Sequence, residues 1–223
     1  PIHALGNFTY QWYKDGVIIS GVTSKTLILS DVADSGNYKV VVTVSDGCES
    51  KTAEASLSVV INKATYDLSG FNFSNQTIIY DGTEHSLAIT GTLPNGVSVV
   101  YEGSGINVGN YLVTAKFTGD ADNYELIPDM QASLTITPLT VAITFSNYTD
   151  LVYNGVEKTI SANITNLVPG DDVSLVLSGN KQTNAGSYVT EVIGLSGADS
   201  SNYQLPTIGL TQNYQIEKAT ITG

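Results

Sequence analysis

Five short landmarks recur in one order at two places in this chain, and no other feature limits its fold as strongly. Ile61-Asn62-Lys63-Ala64-Thr65, Ile136-Thr137-Pro138-Leu139-Thr140 and Ile216-Glu217-Lys218-Ala219-Thr220 mark junctions about 75 and about 80 residues apart. Between them, Tyr80-Asp81-Gly82-Thr83-Glu84 matches Tyr153-Asn154-Gly155-Val156-Glu157. Asn107-Val108-Gly109-Asn110-Tyr111 matches Asn184-Ala185-Gly186-Ser187-Tyr188, and the Asn123-Tyr124 pair matches Asn202-Tyr203. Residues 62–137 and 138–217 are expected to be two copies of one module, 1–61 a different leading module, and 218–223 the start of a further copy.

The hydrophobic pattern makes these modules all-β. No stretch places apolar residues at i, i+3, i+4 and i+7. Alternation is the rule instead, as in Tyr111, Val113, Ala115 and Phe117, or Leu134 and Ile136, with polar neighbours between. Asp15-Gly16, Asp46-Gly47, Asp81-Gly82, Asn95-Gly96 and Asn154-Gly155 punctuate the runs with the positive-φ residues that tight hairpins need. Short strands with such turns predict tandem small β-sandwich modules of immunoglobulin-like type. A helix-poor β-grasp arrangement stays open for modules 2 and 3.

The leading module carries Tyr10-Gln11-Trp12-Tyr13 and, further on, Asp34-Ser35-Gly36-Asn37-Tyr38. It resembles the immunoglobulin-like superfamily. The resemblance implies that Trp12 packs in the core from the third strand, and that Asp34, Gly36 and Tyr38 form a tyrosine corner before the sixth. Val40 stands where antibody-type domains have their second core Cys, and few residues precede Trp12. The first two strands therefore lie upstream or are supplied by an unusual partner. In bacterial surface versions of the fold, the resemblance implies an upstream partner for a Cys placed like Cys48. The remaining readings are a free thiol or an intermolecular bond. A catalytic Cys needs an activating group, and no motif links His3 or His85 to it.

Residues 62–217 resemble the bacterial surface repeats of MBG or YDG type. The carrying residues are Tyr80, Asp81 and Gly82, Tyr153, Asn154 and Gly155, the Asn-x-Gly-x-Tyr stretches ending in Tyr111 and Tyr188, and the pairs containing Tyr124 and Tyr203. The resemblance implies tandem arrays in long extracellular proteins and no particular ligand. Physically, Gly with Asp or Asn closes turns. The recurrent tyrosines are expected to cap the core with their rings while their hydroxyls reach water. Stacking on sugar rings is the competing use, but a residue recurring in each copy is more simply scaffold.

Composition excludes several roles. The chain has 223 residues, a net charge of −12 and only 13% charged residues, and all nine basic residues are Lys. An acidic chain without a guanidinium is unsuited to nucleic acid, and no apolar run is long enough for a membrane helix. For metal, Asp120, Asp122 and Asn123 offer oxygens to Ca²⁺, although plain loop charge is the simpler reading. The second copy has fewer carboxylates there, and Asp171-Asp172 is another acidic pair. Two distant His and one Cys make no zinc site. Lys63 and Lys218 begin modules, yet Pro138 replaces them in the middle copy, which opposes a shared isopeptide cross-link. Asn7, Asn72, Asn75, Asn147 and Asn163 fit the glycosylation pattern, at the frequency a Ser/Thr/Asn-rich chain gives by chance. Short connections and the lack of a nucleophile elbow make an enzyme unexpected, and no cofactor is foreseen.

The expected role is a non-catalytic, extracellular, structural or stalk segment of a bacterial cell-surface, adhesin-like protein, monomeric and partnered by its neighbouring modules. Three sandwiches of roughly 30–40 Å each would make a rod about 100 Å long. The alternative is a module that binds a glycan or a host surface protein. An accessory region of a hydrolase is the remote third reading.

Overall fold

Alternating burial along single strands shapes the chain. The computed structural model describes residues 6–220, so His3 lies outside the described residues. There is no α-helix among them; the only helical turns are the 3₁₀ segments Val32–Asp34 and Ser200–Asn202. The all-β class read from the sequence is the class observed.

In the leading segment, β1 (Asn7–Lys14), β2 (Val17–Ile18), β3 (Gly36–Ser45) and β4 (Ser50–Val59) form one antiparallel sheet in the order β2-β1-β3-β4. Register pairs Trp12 with Val40, and Val40 with Ala55. Period 2 then collects Phe8, Tyr10, Trp12, Val40, Val42 and Leu57 on one face, and Thr9, Gln11, Lys39, Glu54 and Ser56 on the other. The apolar face is only partly covered. Leu27 and Leu29 share an open groove of about 310 Å³ with Trp12, Tyr38 and Val40. Leu57, on the same face, is 67% exposed.

The first repeat contains β5 (Phe71–Asn72), β6 (Gln76–Ile79), β7 (Thr90–Gly91), β8 (Ser98–Glu102), β9 (Gly109–Thr118) and β10 (Met130–Thr137). The second contains β11 (Leu139–Thr140), β12 (Ile143–Ser146), β13 (Leu151–Val152), β14 (Lys158–Thr159) and β15 (Ser161–Ile164). It continues with β16 (Ser174–Ser178), β17 (Lys181–Gln182), β18 (Gly186–Ser196), β19 (Tyr203–Gln204) and β20 (Thr211–Glu217). The principal sheets have matching orders, β6-β10-β9-β8 and β13-β20-β18-β16. In both, the first two strands of the order pair in parallel, β6 with β10 and β13 with β20, and the middle pair is antiparallel.

By contact density the chain forms two units. One comprises 6–71, Gly91–Val99 and Phe117–Pro128; the other comprises Asn72–Thr90, Val100–Lys116 and 129–220, so the first repeat contributes to both. In the second unit Leu87, Val113, Ala132, Leu134, Ile136, Val141, Val173, Tyr80 and Tyr203 form one buried cluster drawn from both repeats. Each Val, Leu or Ile side chain buried this way contributes about 1.5–3 kcal/mol. A second, smaller cluster of Ile160, Tyr214 and Ile216 lies in the second repeat.

Candidate functional site

The polar chemistry of the chain is concentrated at corners and junctions. Three stretches of the form Asp/Asn-x-Gly-x-Tyr open β3, β9 and β18, and each Tyr is the third residue of its strand. In each, the phenol donates to the carbonyl four residues upstream. Tyr38 donates to Asp34, Tyr111 to Asn107 at 2.8 Å, and Tyr188 to Asn184 at 3.1 Å. This is the tyrosine corner of immunoglobulin-like domains, and it stands in both repeats as well as in the leading segment. At Gly186 a Cβ would lie 3.1 Å from the Tyr188 hydroxyl, so glycine makes room for the returning ring. Asp34 also holds the preceding turn, accepting from Ser30 and Asp31 N–H groups, and those bonds lower its pKa.

The expectation that the hydroxyls of the recurrent tyrosines reach water is corrected at Tyr80 and Tyr203. Tyr38, Tyr80, Tyr203 and Tyr214 are each 4–5% exposed, and every one of their hydroxyls has a protein acceptor. Burying a phenol without a partner is costly, so the fold supplies one.

The densest arrangement lies where the second repeat follows the first. Tyr80 and Tyr203 meet edge to face, with ring centroids 5.6 Å apart. Both donate to the same Asp171 Oδ2, at 2.8 and 2.7 Å. The Tyr203 oxygen in turn accepts from the Val168 N–H at 2.9 Å. Burial, reinforced by the Asp171 carboxylate, pushes both phenols up to about 12. Beside them the buried Asn202 accepts the Val108 N–H at 2.9 Å and donates to Asn107 Oδ1 at 3.1 Å. Gly82, at φ +78°, lies against Val168: a Cβ there would come within 2.5 Å of its Cγ1.

The other Asn-Tyr pair behaves in the same way within its own unit. Asn123 Oδ1 accepts the Val32 N–H of the leading segment at 3.0 Å. Tyr124 stacks on Tyr66 at 4.3 Å, and the Tyr66 hydroxyl accepts from the Asp120 N–H. Each Asn-Tyr pair also bridges in parallel to the start of its repeat, Tyr124 with Ala64 in an isolated bridge and Tyr203 with Leu139 of β11. Neither the N–H that each Asn grips nor the convergence on Asp171 is foreseeable from sequence. The exact recurrence of the pair was the available signal.

In the loop proposed for Ca²⁺, the side-chain acceptors of Asp120 and Asn123 are engaged. Asp120 Oδ1 takes the Asp122 and Asn123 N–H groups, and Asp120 Oδ2 takes the Asn123 side-chain amide at 3.0 Å. Asn123 Oδ1 is the one bonded to Val32. Those bonds hold the Asp120 carboxyl below its ordinary value. Among the described residues no three His, Cys, Asp or Glu side chains are gathered as a metal-binding group. Asp81 accepts from Thr83 and pairs with His85 at 2.9 Å, which holds its carboxyl at about 2. Asn154 takes the same place in the second repeat, accepting from Val156 and Lys158. Trp12 donates to the Ser24 carbonyl, and Cys48 is exposed.

No family model matches the chain, and no curated protein matches its sequence. Among solved structures, fibronectin(III)-like modules of Clostridium thermocellum CbhA share 13% identity, covering 61% of this chain and 80% of theirs, at a TM-score of 0.23. The FN1-FN3 domains of chicken CNTN1 share 10%, covering 97% and 90%, at 0.21. SGBP-B of the Bacteroides ovatus mixed-linkage glucan utilization locus, in complex with a mixed-linkage heptasaccharide, shares 12%, covering 95% and 60%, at 0.22. Similarity at this level carries nothing about ligand or activity.

Proposed function

We propose that the chain is a non-catalytic structural segment of an extracellular, bacterial cell-surface protein of adhesin-like type, in which tandem modules 1–61, 62–137 and 138–217 hold a binding activity located elsewhere away from its anchor. One observation carries the reading. The two Asn-Tyr pairs, Asn123-Tyr124 and Asn202-Tyr203, both bond a backbone N–H of the preceding segment. Buried polar groups are expensive unless paired. Here they are used to fasten one segment to the next, as a series of modules held under tension requires. Acidity fits the same role, since a net charge of −12 keeps neighbouring molecules apart.

A screen of the folded chain against arrays of glycans and extracellular-matrix proteins, with and without Ca²⁺, tests the reading. The expected result is no binding in either condition. A reproducible hit abolished by replacing a surface Tyr such as Tyr153 would overturn the spacer role and put a binding module in its place.

A further inference from the structure

The far end of the second repeat presents the positions that receive the second repeat at the far end of the first. In the first repeat these are Tyr80, Gly82, Val108 and the Pro138-Leu139 junction. Tyr80 donates to Asp171, the Val108 N–H donates to Asn202, and Gly82 lies against Val168. Their counterparts in the second repeat are Tyr153, Gly155, Ala185 and Lys218-Ala219. The backbone that frames both places is the same. The Tyr80 N–H donates to the Thr137 carbonyl and the Tyr153 N–H to the Glu217 carbonyl, each at 2.9 Å.

What differs is occupancy. Tyr153, Ala185, Lys218 and Ala219 line a single open pocket of about 450 Å³. Tyr153 is 41% exposed where Tyr80 is 4%. A Cβ on Gly155, at φ +77°, would meet nothing within 4 Å. Among the described residues neither the Tyr153 hydroxyl nor the Ala185 N–H has a hydrogen-bond partner.

We propose that this pocket is a docking socket for a further module of the same type joined in series. The incoming module supplies an Asn-Tyr corner whose amide oxygen accepts the Ala185 N–H, and a loop carboxylate, placed as Asp171 is, that accepts the Tyr153 hydroxyl. The occupied equivalent at Tyr80 and Val108 identifies this partner. The socket does not depend on the chain being a passive spacer: binding modules in series would use it equally, so a ligand found in the screen above leaves it standing.

The test uses the protein's own sequence. In a chain with Ala142–Gly223 repeated after Ile221, the added copy follows the second repeat in the register in which the second follows the first. Hydrogen exchange at the Ala185 amide is read with and without the added copy. Exchange at least tenfold slower in the longer chain is expected, with the rate restored by Asn202→Ala in the added copy alone. An unchanged Ala185 rate beside a protected added copy overturns the proposal. So does an added copy that fails to fold, because the same residues fold against the occupied socket. Protection of Ala185 that grows with concentration in the original chain would also overturn it, by assigning the pocket to a second molecule.

Discussion

One oxygen of Asp171 accepts two phenols, and the residue-scale consequences follow from that sharing. Phenols raised from 10 to about 12 favour the folded form while protonated. Their contribution is complete below pH 10 and is lost as pH rises from 10 to about 12. An ultraviolet titration is expected to show a class of tyrosines ionising near pH 12, and Asp171→Asn to bring that class toward 10. Asp81 has the opposite sign: with its carboxyl held at about 2, its contribution is present above 3.8 and lost as pH falls toward 2. Thr190 is fully buried, and its hydroxyl has no partner among the described residues. The first repeat has Val113 at the equivalent place, also fully buried. Thr190→Val is therefore expected to raise stability by about 1–2 kcal/mol, read from equilibrium denaturation.

At the scale of elements, Gly82 and Gly155 form a natural comparison. Both have φ near +78°, so Ala at either position incurs a left-handed backbone cost of about 1–2 kcal/mol. Only at Gly82 does the new methyl also strike Val168, which adds about 1–3 kcal/mol of overpacking. Gly82→Ala should accordingly destabilise more than Gly155→Ala in parallel melts, and equal losses would argue against the packing at Gly82. These elements also show what sequence can carry. The strands were legible because Val113, Ala115, Leu134 and Ile136 alternate with polar residues, and the corners because Gly and Tyr recur at fixed spacing. That Tyr38, Tyr111 and Tyr188 form one and the same corner was hidden, since Trp12 assigned the first to one family and the repeats assigned the others to another. The grip of Asn202 on Val108 was invisible for a different reason. A hydrogen bond between residues so far apart in sequence leaves no periodic trace.

At the scale of the molecule, the joints decide whether segments unfold singly or together. Asn202→Ala leaves the Val108 N–H without its acceptor and removes the donor to Asn107. A loss of about 1–3 kcal/mol is expected. Calorimetry should show a broader unfolding transition as the two repeats uncouple, and an unchanged transition would mean that the apolar cluster alone joins them.

The parallel ladders have a mechanical consequence. In each repeat an early strand runs beside the closing strand in the same direction, as β6 does beside β10 and β13 beside β20. Tension between the ends of a repeat drags such a pair past one another lengthwise, so its hydrogen bonds must fail together instead of unzipping in turn. The first repeat pairs four residues this way, Gln76–Ile79 against Leu134–Thr137, and the second only Leu151 and Val152 against Ile216 and Glu217. Pulled from its two ends in a single-molecule experiment, the chain should yield in residues 138–217 before residues 62–137, which give way at the higher force.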